Sequence, residues 1–510
     1  MNEPLPSTEG RPSTTRAVVW TLAARQGERL LGIVSISILA RLLSPSDFGL
    51  VAMGSSFAAL VEVFSAFGFD WALVRLPNPT REHYDTAWTL RVICGILVFA
   101  VLVGLAHPIA LLYSRPAVAA VVVVMGVNSL VGSAENIWMA EFRRQNRFEP
   151  EFTLRTLAKI AGFLTATAVA WQTRSYWALV AGITASRLTS TAVSYRLHAL
   201  RPHWDLSRSA DLLHFSVWLL LGNVTDVLRS RFAEIWLGRN IGPRSVGLYS
   251  MASELSALAS TELAGPINRA VFTRYMQQVG DVEALRTGYL RVSGLIWAVG
   301  LPAAAGIGLC APLIVAILLG GQWTDAARVL QILALAGLLN IMASNTQYVY
   351  WAFGRSRFVT LLALAGSTIF VVSTLLFGGR LGVAGVAWAQ VIASGLVLTI
   401  NYAVLLATLQ LRLFEVVRRT YRVIVASAGM SALVSALANS SQAWPAQQVW
   451  LRLALLIAVG IISYFGILLG LWSVLGKPAG PEVDIRDLSR AATALVRGWC
   501  AGVGPCRIRS

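Results

Sequence analysis

Arg25 and Arg29 stand four residues apart in a stretch that is otherwise largely apolar, a spacing that stacks both guanidinium groups on one side of a helix. Glu254, Leu258, Glu262, Gly265 and Arg269 repeat at intervals of 4-4-3-4, which places three charges on one helix face, interrupted by the apolar Leu258. Arg91 and Glu62 fall within two further apolar runs. Guanidinium forks grip phosphate oxygens bidentately, and a carboxylate in an apolar setting can hold a proton or a cation. A charge at the centre of a bilayer-spanning helix costs about 2.5–3.5 kcal/mol on insertion scales, so it marks a polar pathway by default. Arg25, Arg29, Arg269 and Arg91 are therefore candidate anion-binding residues, and Glu62, Glu254 and Glu262 are candidate ion-coupling residues. The competing reading is that such charges pair inside a bundle or reach the headgroups. It suits Arg187, Arg229, Arg231 and Glu234 better, and Asp226 and Arg229, three apart, could neutralise each other.

The elements that would carry these residues follow from composition. Of 510 residues 56% are hydrophobic and 13% charged, and the mean hydropathy is +0.64. A soluble protein would carry about 25% charged residues. The deficit makes lipid the solvent. The pattern predicts an all-α membrane protein of about fourteen transmembrane helices, at 17–42, 48–74, 85–112, 117–140, 152–172, 176–197, 213–237, 246–272, 288–318, 326–351, 357–377, 382–409, 422–439 and 447–475. With the N-terminus inside, the inner segments hold 24 basic residues and the outer loops five, or seven with Arg328 and Arg452 at outer span edges. That asymmetry predicts cytoplasmic N- and C-termini. Forty of the 42 basic residues are arginine, Lys159 and Lys477 being the exceptions.

The chain also repeats itself. Residues 41–72 and 239–270 are identical at ten of 32 positions, among them Arg41/Arg239, Pro45/Pro243 and Gly49/Gly247. Proline cannot continue a helix and glycine permits a tight return, so Arg41, Pro45 and Gly49 and their counterparts Arg239, Pro243 and Gly247 read as structural turn residues, with Asp47 a candidate cap. Weaker echoes at 90–92 and 290–292, and at 143–148 and 354–358, keep the same order. Six spans per unit give both units one orientation. The expected organisation is a cytoplasmic segment 1–16, an N-lobe 17–200, an inter-lobe loop 201–212, a C-lobe 213–409, two added helices in 410–475 and a cytoplasmic tail 476–510. Parallel repeats of this kind hold substrate between lobes near mid-membrane. In the tail, Ile485, Leu488, Ala492 and Leu495 share one face of a possible amphipathic helix, with a disordered tail the alternative.

Enzymatic chemistry is not indicated. The five histidines are scattered, no metal-binding or nucleotide-binding arrangement occurs, and the expected outer loops are too short to build a site. Cys94, Cys310, Cys500 and Cys506 form no CxxC pair, so neither a disulfide framework nor a metal centre is expected. The expectation is a non-enzyme without cofactor. The net charge of +17 is dispersed between apolar runs, which fits a membrane surface and not nucleic acid.

The stretch ILARLLSPSDFGLVAMGSSFAALVEVFSAFGFDWALVR, residues 38–75, strongly resembles the start of Wzx-type polysaccharide flippases, the polysaccharide-transport branch of the MOP exporter superfamily. RPHWDLSRSADLLHFS at 201–216 is similar to that family's inter-lobe loop. The resemblance covers about 17–475 and implies a transporter of undecaprenyl-pyrophosphate-linked oligosaccharide, working by alternating access in the bacterial inner membrane. It implies membrane lipids, a polysaccharide polymerase and export proteins as partners. Basic residues of the first and eighth helices line the cavity in such proteins, which would give roles to Arg25, Arg29 and Arg269. A cation-coupled multidrug exporter or a lipid II exporter of the same superfamily is the alternative.

Overall fold

The computed structural model describes residues 14–63, 79–145, 149–209, 227–278, 280–440, 448–477 and 480–484, with 69, 73, 76 and 147 beside them. The expected positions Arg11, Asp70 and Asp226, the start of the seventh span and the tail beyond 484 lie outside the described residues. So do the side chains of Arg25, Glu262 and Arg269. Among the described residues the chain is helical with no strand.

The first of two compact units comprises residues up to Ser250 together with Leu318–Trp323. Its helices are α1 (Thr14–Leu42), α2 (Pro45–Glu62), α3 (Arg81–Tyr113), α4 (Pro116–Ser133), a short α5 (Met139–Arg144), α6 (Glu149–Thr173), α7 (Trp177–Leu197), α8 (227–240) and the start of α9 (Pro243–Ala259). The second unit holds the rest of α9, α10 (Gly265–Gln277), α11 (Val282–Leu309), α12 (Ala311–Leu318, up to Ile317), α13 (Thr324–Ala343), α14 (Thr346–Ala352), α15 (Ser356–Thr408), α16 (Leu413–Ser440) and α17 (Val449–Val474).

Seven described helical segments are long and apolar enough to cross a membrane, or eight when α1 and α2 are taken as one pair bent by 120°. The fold is thus an all-α, multi-span one. α6 and α7 are also long enough to cross but less apolar, since Lys159 and Arg187 interrupt them. They pack through small residues: Ala158, Gly162, Ala166 and Ala170 recur every four positions on α6 and are buried. Gly162 and Gly182 each come so close that a Cβ on either would stand 2.9 Å from the other's carbonyl oxygen. α15 is two helices joined at Gly382, whose φ of 61° lies in the region that favours glycine. The chain turns back there, and Gly385 lies against the Phe377 carbonyl.

At the first repeated turn, Ser44 and Asp47 form a reciprocal cap. The Asp47 carboxylate accepts from the Ser44 N–H at 3.0 Å and from its hydroxyl at 2.6 Å. The other Asp47 oxygen accepts from the Tyr176 N–H at 3.1 Å, tying the turn to the start of α7. Pro45 begins a new helix, so the last carbonyls of α1 need other partners. Gln322 donates to Ala40 and Leu43, and the buried Trp323 indole N–H donates to Ala40 at 2.8 Å. The two repeated elements meet at their glycines. A Cβ on Gly49 would stand 1.7 Å from the Pro243 carbonyl oxygen, and one on Gly247 would stand 2.0 Å from that of Pro45. The repeat therefore packs against its own copy.

Some expected edges move. The helix expected at 422–439 begins at Leu413, so Arg418 and Arg419 are helical and Arg422 lies inside the helix and not at its start. The run expected at 117–140 breaks at 134–138, and that expected at 288–318 breaks at Cys310. Between Ala259 and Gly265 the helix widens into a π turn, with the Gly265 N–H reaching back to Ser260. Pro266 follows directly and has no N–H to sustain the regular ladder. The loop residues 201–209 fold onto the start of α3: His203 donates to Asp85, Asp205 to Thr89, and Arg208 pairs with Glu82 at 3.0 Å.

Candidate functional site

α1 has two different faces. Leu30, Val34 and Ile38, spaced by four, are exposed apolar side chains that suit contact with lipid. Glu28, Gly32 and the positions of Arg25 and Arg29 fall on the opposite half of the helix. That half meets α6. Lys159 of α6 is half-buried and donates its ammonium to the Glu28 carbonyl. The contact depends on Gly32, where a Cβ would stand 3.0 Å from the Lys159 nitrogen. Arg29 is half-buried one residue from Glu28 and is engaged with a partner. The result is a basic face on α1 and α6, in which Lys159 meets an uncharged backbone carbonyl.

A second basic feature lies at the end of α4. Arg91 of α3 donates to the Gly132 carbonyl at 2.6 Å. Arg187 of α7 reaches the same glycine from another side, 3.4 Å from where a Cβ would sit. Thr191 caps the Val131 carbonyl, Tyr195 that of Ala134, and Ser190 donates to Glu135 at 3.0 Å. These contacts gather at the last turn of α4 and the break at 134–138, where the Val131 and Gly132 carbonyls also accept from the Ala134 and Glu135 N–H groups. Arg91 thus works at a helix terminus, a structural task its sequence position did not reveal.

Glu234 of α8 is buried. It accepts from the Ser56 hydroxyl of α2 and pairs with Arg231 at 3.1 Å. Arg231 and Glu234 thus form an ion pair, one of the two roles open to them as charges that pair inside a bundle or reach the headgroups. Glu62 is half-buried and Glu254 exposed, and both are engaged with partners. The expected stripe from Glu254 to Arg269 assumes an unbroken 3.6-residue period. The π turn inserts an extra residue into that ladder, so the backbone that carries Arg269 is rotated relative to the one that carries Glu254. Arg41 and Arg239 are exposed at the two turns, and both glycine contacts there are buried.

In the second unit, the buried Asn345 amide donates to Tyr275 and Ser293, each at 3.0 Å, at the break between α13 and α14. Sequence reading gave no role to the charges at 480–484. Arg422, only 2% exposed, stands 3.2 Å from Glu482, and Asp484 stands 2.6 Å from Arg291 and 3.9 Å from Arg419. Three carboxylates, Glu482, Asp484 and Asp487, close together at the start of a tail that is otherwise basic were the available signal. For Lys159 the signal was its type, since it is one of two lysines among 42 basic residues. Outside the spans, His198 is stacked on Trp138 at 5.6 Å, and burial holds its imidazole below the usual value.

With this geometry the architecture can be placed. The fold is that of MOP-superfamily transporters. It matches a lipid II flippase MurJ in an inward closed conformation with a TM-score of 0.72 at 14% identity, covering 90% of this chain and 99% of that one. It matches an inward-facing multidrug resistance MATE transporter of the MOP superfamily with a TM-score of 0.63 at 15% identity, covering 75% and 94%. Residues 38–328 match the family described as "Polysaccharide biosynthesis protein", and the chain belongs to that Wzx-like family. The match begins at Ile38, where the resemblance to polysaccharide flippases also begins. Among curated relatives, the lipopolysaccharide biosynthesis protein WzxC of Escherichia coli (strain K12) is 23% identical over 74% of this chain and 77% of its own length. The teichuronic acid biosynthesis protein TuaB of Bacillus subtilis (strain 168) is 20% identical over 90% and 96%. The succinoglycan biosynthesis transport protein ExoT of Rhizobium meliloti (strain 1021) is 23% identical over 66% and 69%. The chain is a multi-pass membrane protein of polysaccharide biosynthesis in a transporter family.

Proposed function

We propose that this protein moves undecaprenyl-pyrophosphate-linked oligosaccharide units from the cytoplasmic to the periplasmic leaflet of a bacterial inner membrane. There they would feed a polysaccharide polymerase and export proteins that build exopolysaccharide, capsule or O-antigen. The reading takes the chain as fourteen spanning helices: two six-helix lobes at 17–200 and 213–409 and an added pair at 410–475. Both termini are cytoplasmic. The lobes open alternately to each side. The protein supplies no covalent chemistry and takes its specificity from the cavity.

The observation that carries this reading is the family match over 38–328, joined to relatives named for three different polysaccharides. The charged half of α1 supports the same cargo class. A pyrophosphate needs several cationic groups in a water-accessible, low-dielectric setting. Arg25 and Arg29 lie on the helix half that Lys159 approaches, away from the exposed apolar stripe. We assign Arg25, Arg29 and Arg269 to the headgroup, with Arg91 a less direct contributor because its guanidinium is spent on Gly132. Glu62, Glu254 and Glu262 are the carboxylates assigned to coupling.

The test is a deletion strain. Loss of the protein should stop surface polysaccharide while lipid-linked oligosaccharide accumulates on the cytoplasmic leaflet, and the double variant Arg25→Ala/Arg29→Ala should fail to restore export. Normal export from that variant, present at ordinary abundance, would remove the headgroup assignment. The likeness in fold to a lipid II flippase favours a second reading, export of lipid II. That reading requires the deletion to block cell-wall synthesis and leave the other polysaccharides intact. A change confined to drug sensitivity would instead indicate multidrug export.

A further inference from the structure

The chain after α17 returns into the second unit. Gly480 crosses directly over Arg422, where a Cβ would stand 2.2 Å from the guanidinium nitrogen. Pro481 seats on Gly294 of α11, whose Cβ would stand 2.9 Å from the proline ring. Residues 481–484 then make one helical turn, which delivers Glu482 to Arg422 of α16 and Asp484 to Arg291 of α11 and Arg419 of α16. Two glycines and a proline thus shape a path for two carboxylates. Burial rises along the cluster: the Arg291 side chain is 50% exposed, Arg419 24% and Arg422 2%.

The carboxylates fit the arginines poorly. Arg422 Nε and Nη1, Arg419 Nε, both Glu482 oxygens and Asp484 Oδ2 are buried without a hydrogen bond. A buried guanidinium with open donors is costly, and a planar carboxylate that satisfies neither of them is a weak occupant. A tetrahedral anion with oxygens in three directions could use donors that these carboxylates leave open. Arg291 and Arg419 meet on Asp484, Arg422 stands three residues from Arg419 on the same helix with open buried donors, and Arg291 is half-exposed, so the cluster offers an anion both donors and a way in.

We infer that Arg291, Arg419 and Arg422 form a binding site for a phosphate-class anion, and that Glu482 and Asp484 of the chain's own tail occupy it as an exchangeable substitute. The tail is a tethered competitor, so its effective concentration is high and an external anion must displace it. The site uses none of the α1 residues assigned to the cargo, and the inference stands whether or not the cargo is a lipid-linked oligosaccharide.

The experiment uses the full-length protein in neutral detergent with inorganic pyrophosphate as the probe. The variant Glu482→Gln/Asp484→Asn should bind pyrophosphate at least about tenfold more tightly than the wild type by titration calorimetry, about 1.4 kcal/mol. Adding Arg422→Gln to that variant should abolish the gain. The anion should also raise the melting temperature of the double variant more than chloride does at equal ionic strength. Equal response of all three proteins, or none, would overturn the inference and leave the tail as an anchor only. If the double variant does not fold, hydrogen exchange of residues 480–484 in the wild type decides. Pyrophosphate should accelerate it where chloride does not, and no difference would overturn the inference. Repeating both arms in lipid nanodiscs with and without phosphatidic acid tells a lipid headgroup from a free anion. If the phosphatidic acid discs alone mimic pyrophosphate, the ligand is a headgroup.

Discussion

Two basic clusters in this chain handle charge in opposite ways. On α1 and α6, the half-buried Lys159 gives its ammonium to a backbone carbonyl, which carries no charge to offset it. On α11 and α16, three arginines are met by two carboxylates from the same chain, and Arg422 is sealed from solvent. The first arrangement keeps positive potential available for a ligand. The second conceals it behind a segment of tail. A carbonyl partner orients a cation without neutralising it, whereas a carboxylate partner does both. Counting arginines along the chain does not separate the two cases, because the partner decides what a buried cation can do.

The comparison can be broken most forcefully at Arg422. Arg422→Ala leaves Glu482 buried without a counter-charge and should destabilise the second unit by about 3–5 kcal/mol, read as a lowered unfolding midpoint in detergent. Replacing both partners, as Arg422→Met/Glu482→Met, should recover most of that loss. If the single and double variants are equally unstable, packing and not charge explains the site.

Lys159→Met should behave differently. It removes a cation that is only half-buried and satisfied by one carbonyl, so we expect a stability loss of no more than about 1.5 kcal/mol with transport reduced at least about tenfold. Lys159→Arg should not rescue transport, because a planar guanidinium does not reproduce the compact ammonium's contact with the Glu28 carbonyl. Rescue by arginine would mean that charge alone matters there. Gly32→Ala is a milder probe. Its methyl meets the mobile end of Lys159 at 3.0 Å, so the side chain can move aside and the cost should stay below about 1 kcal/mol. A larger loss would show that Lys159 is held more rigidly than the α1 face requires.

The smallest effect belongs to an ion cluster that is neither sealed nor used. Glu151 receives Arg143 at 3.0 Å and Arg155 at 2.6 Å, where the Arg155 side chain is 60% exposed. Burial pushes the Glu151 carboxyl up, but the two arginines outweigh it and hold it below the usual carboxylate range. A depressed value adds stability above the ordinary glutamate range near pH 4, and that stability is lost as pH falls through it. Exposure limits the contribution to about 1 kcal/mol or less. The unfolding midpoint of Glu151→Gln should match the wild type at about pH 3 and fall slightly below it at pH 7. A difference that widened on acidification would contradict the assignment.

Much of the architecture could be read from residue spacing. Pro45 with Gly49, and Pro243 with Gly247, located both repeated turns, because proline and glycine act locally and need no tertiary context. The reversal at Gly382 fell at the expected start of a span for the same reason. What escaped depends on partners distant in sequence. Arg422 stood at the edge of an expected span, and local spacing showed neither that α16 starts at Leu413 nor that Glu482 returns to it. The π turn after Ala259 alters the face on which Glu254 and Arg269 were expected together, and a fixed helical period cannot register an inserted residue. Arg91 looked like a cavity cation, yet its partner is the end of α4, opened by a break at 134–138 that apolar composition alone did not mark.

We propose that this protein carries a pyrophosphate-bearing lipid across the bilayer on a basic face of its first helix. The direct measurement places purified protein in liposomes with a fluorescent polyprenyl-pyrophosphate oligosaccharide and follows its transfer between leaflets by quenching from one side. The account predicts protein-dependent transfer that falls at least about tenfold in Arg25→Ala/Arg29→Ala and in Lys159→Met, with both variants folded. Transfer that is unchanged in both variants, or equally slow with and without the wild-type protein, would contradict it.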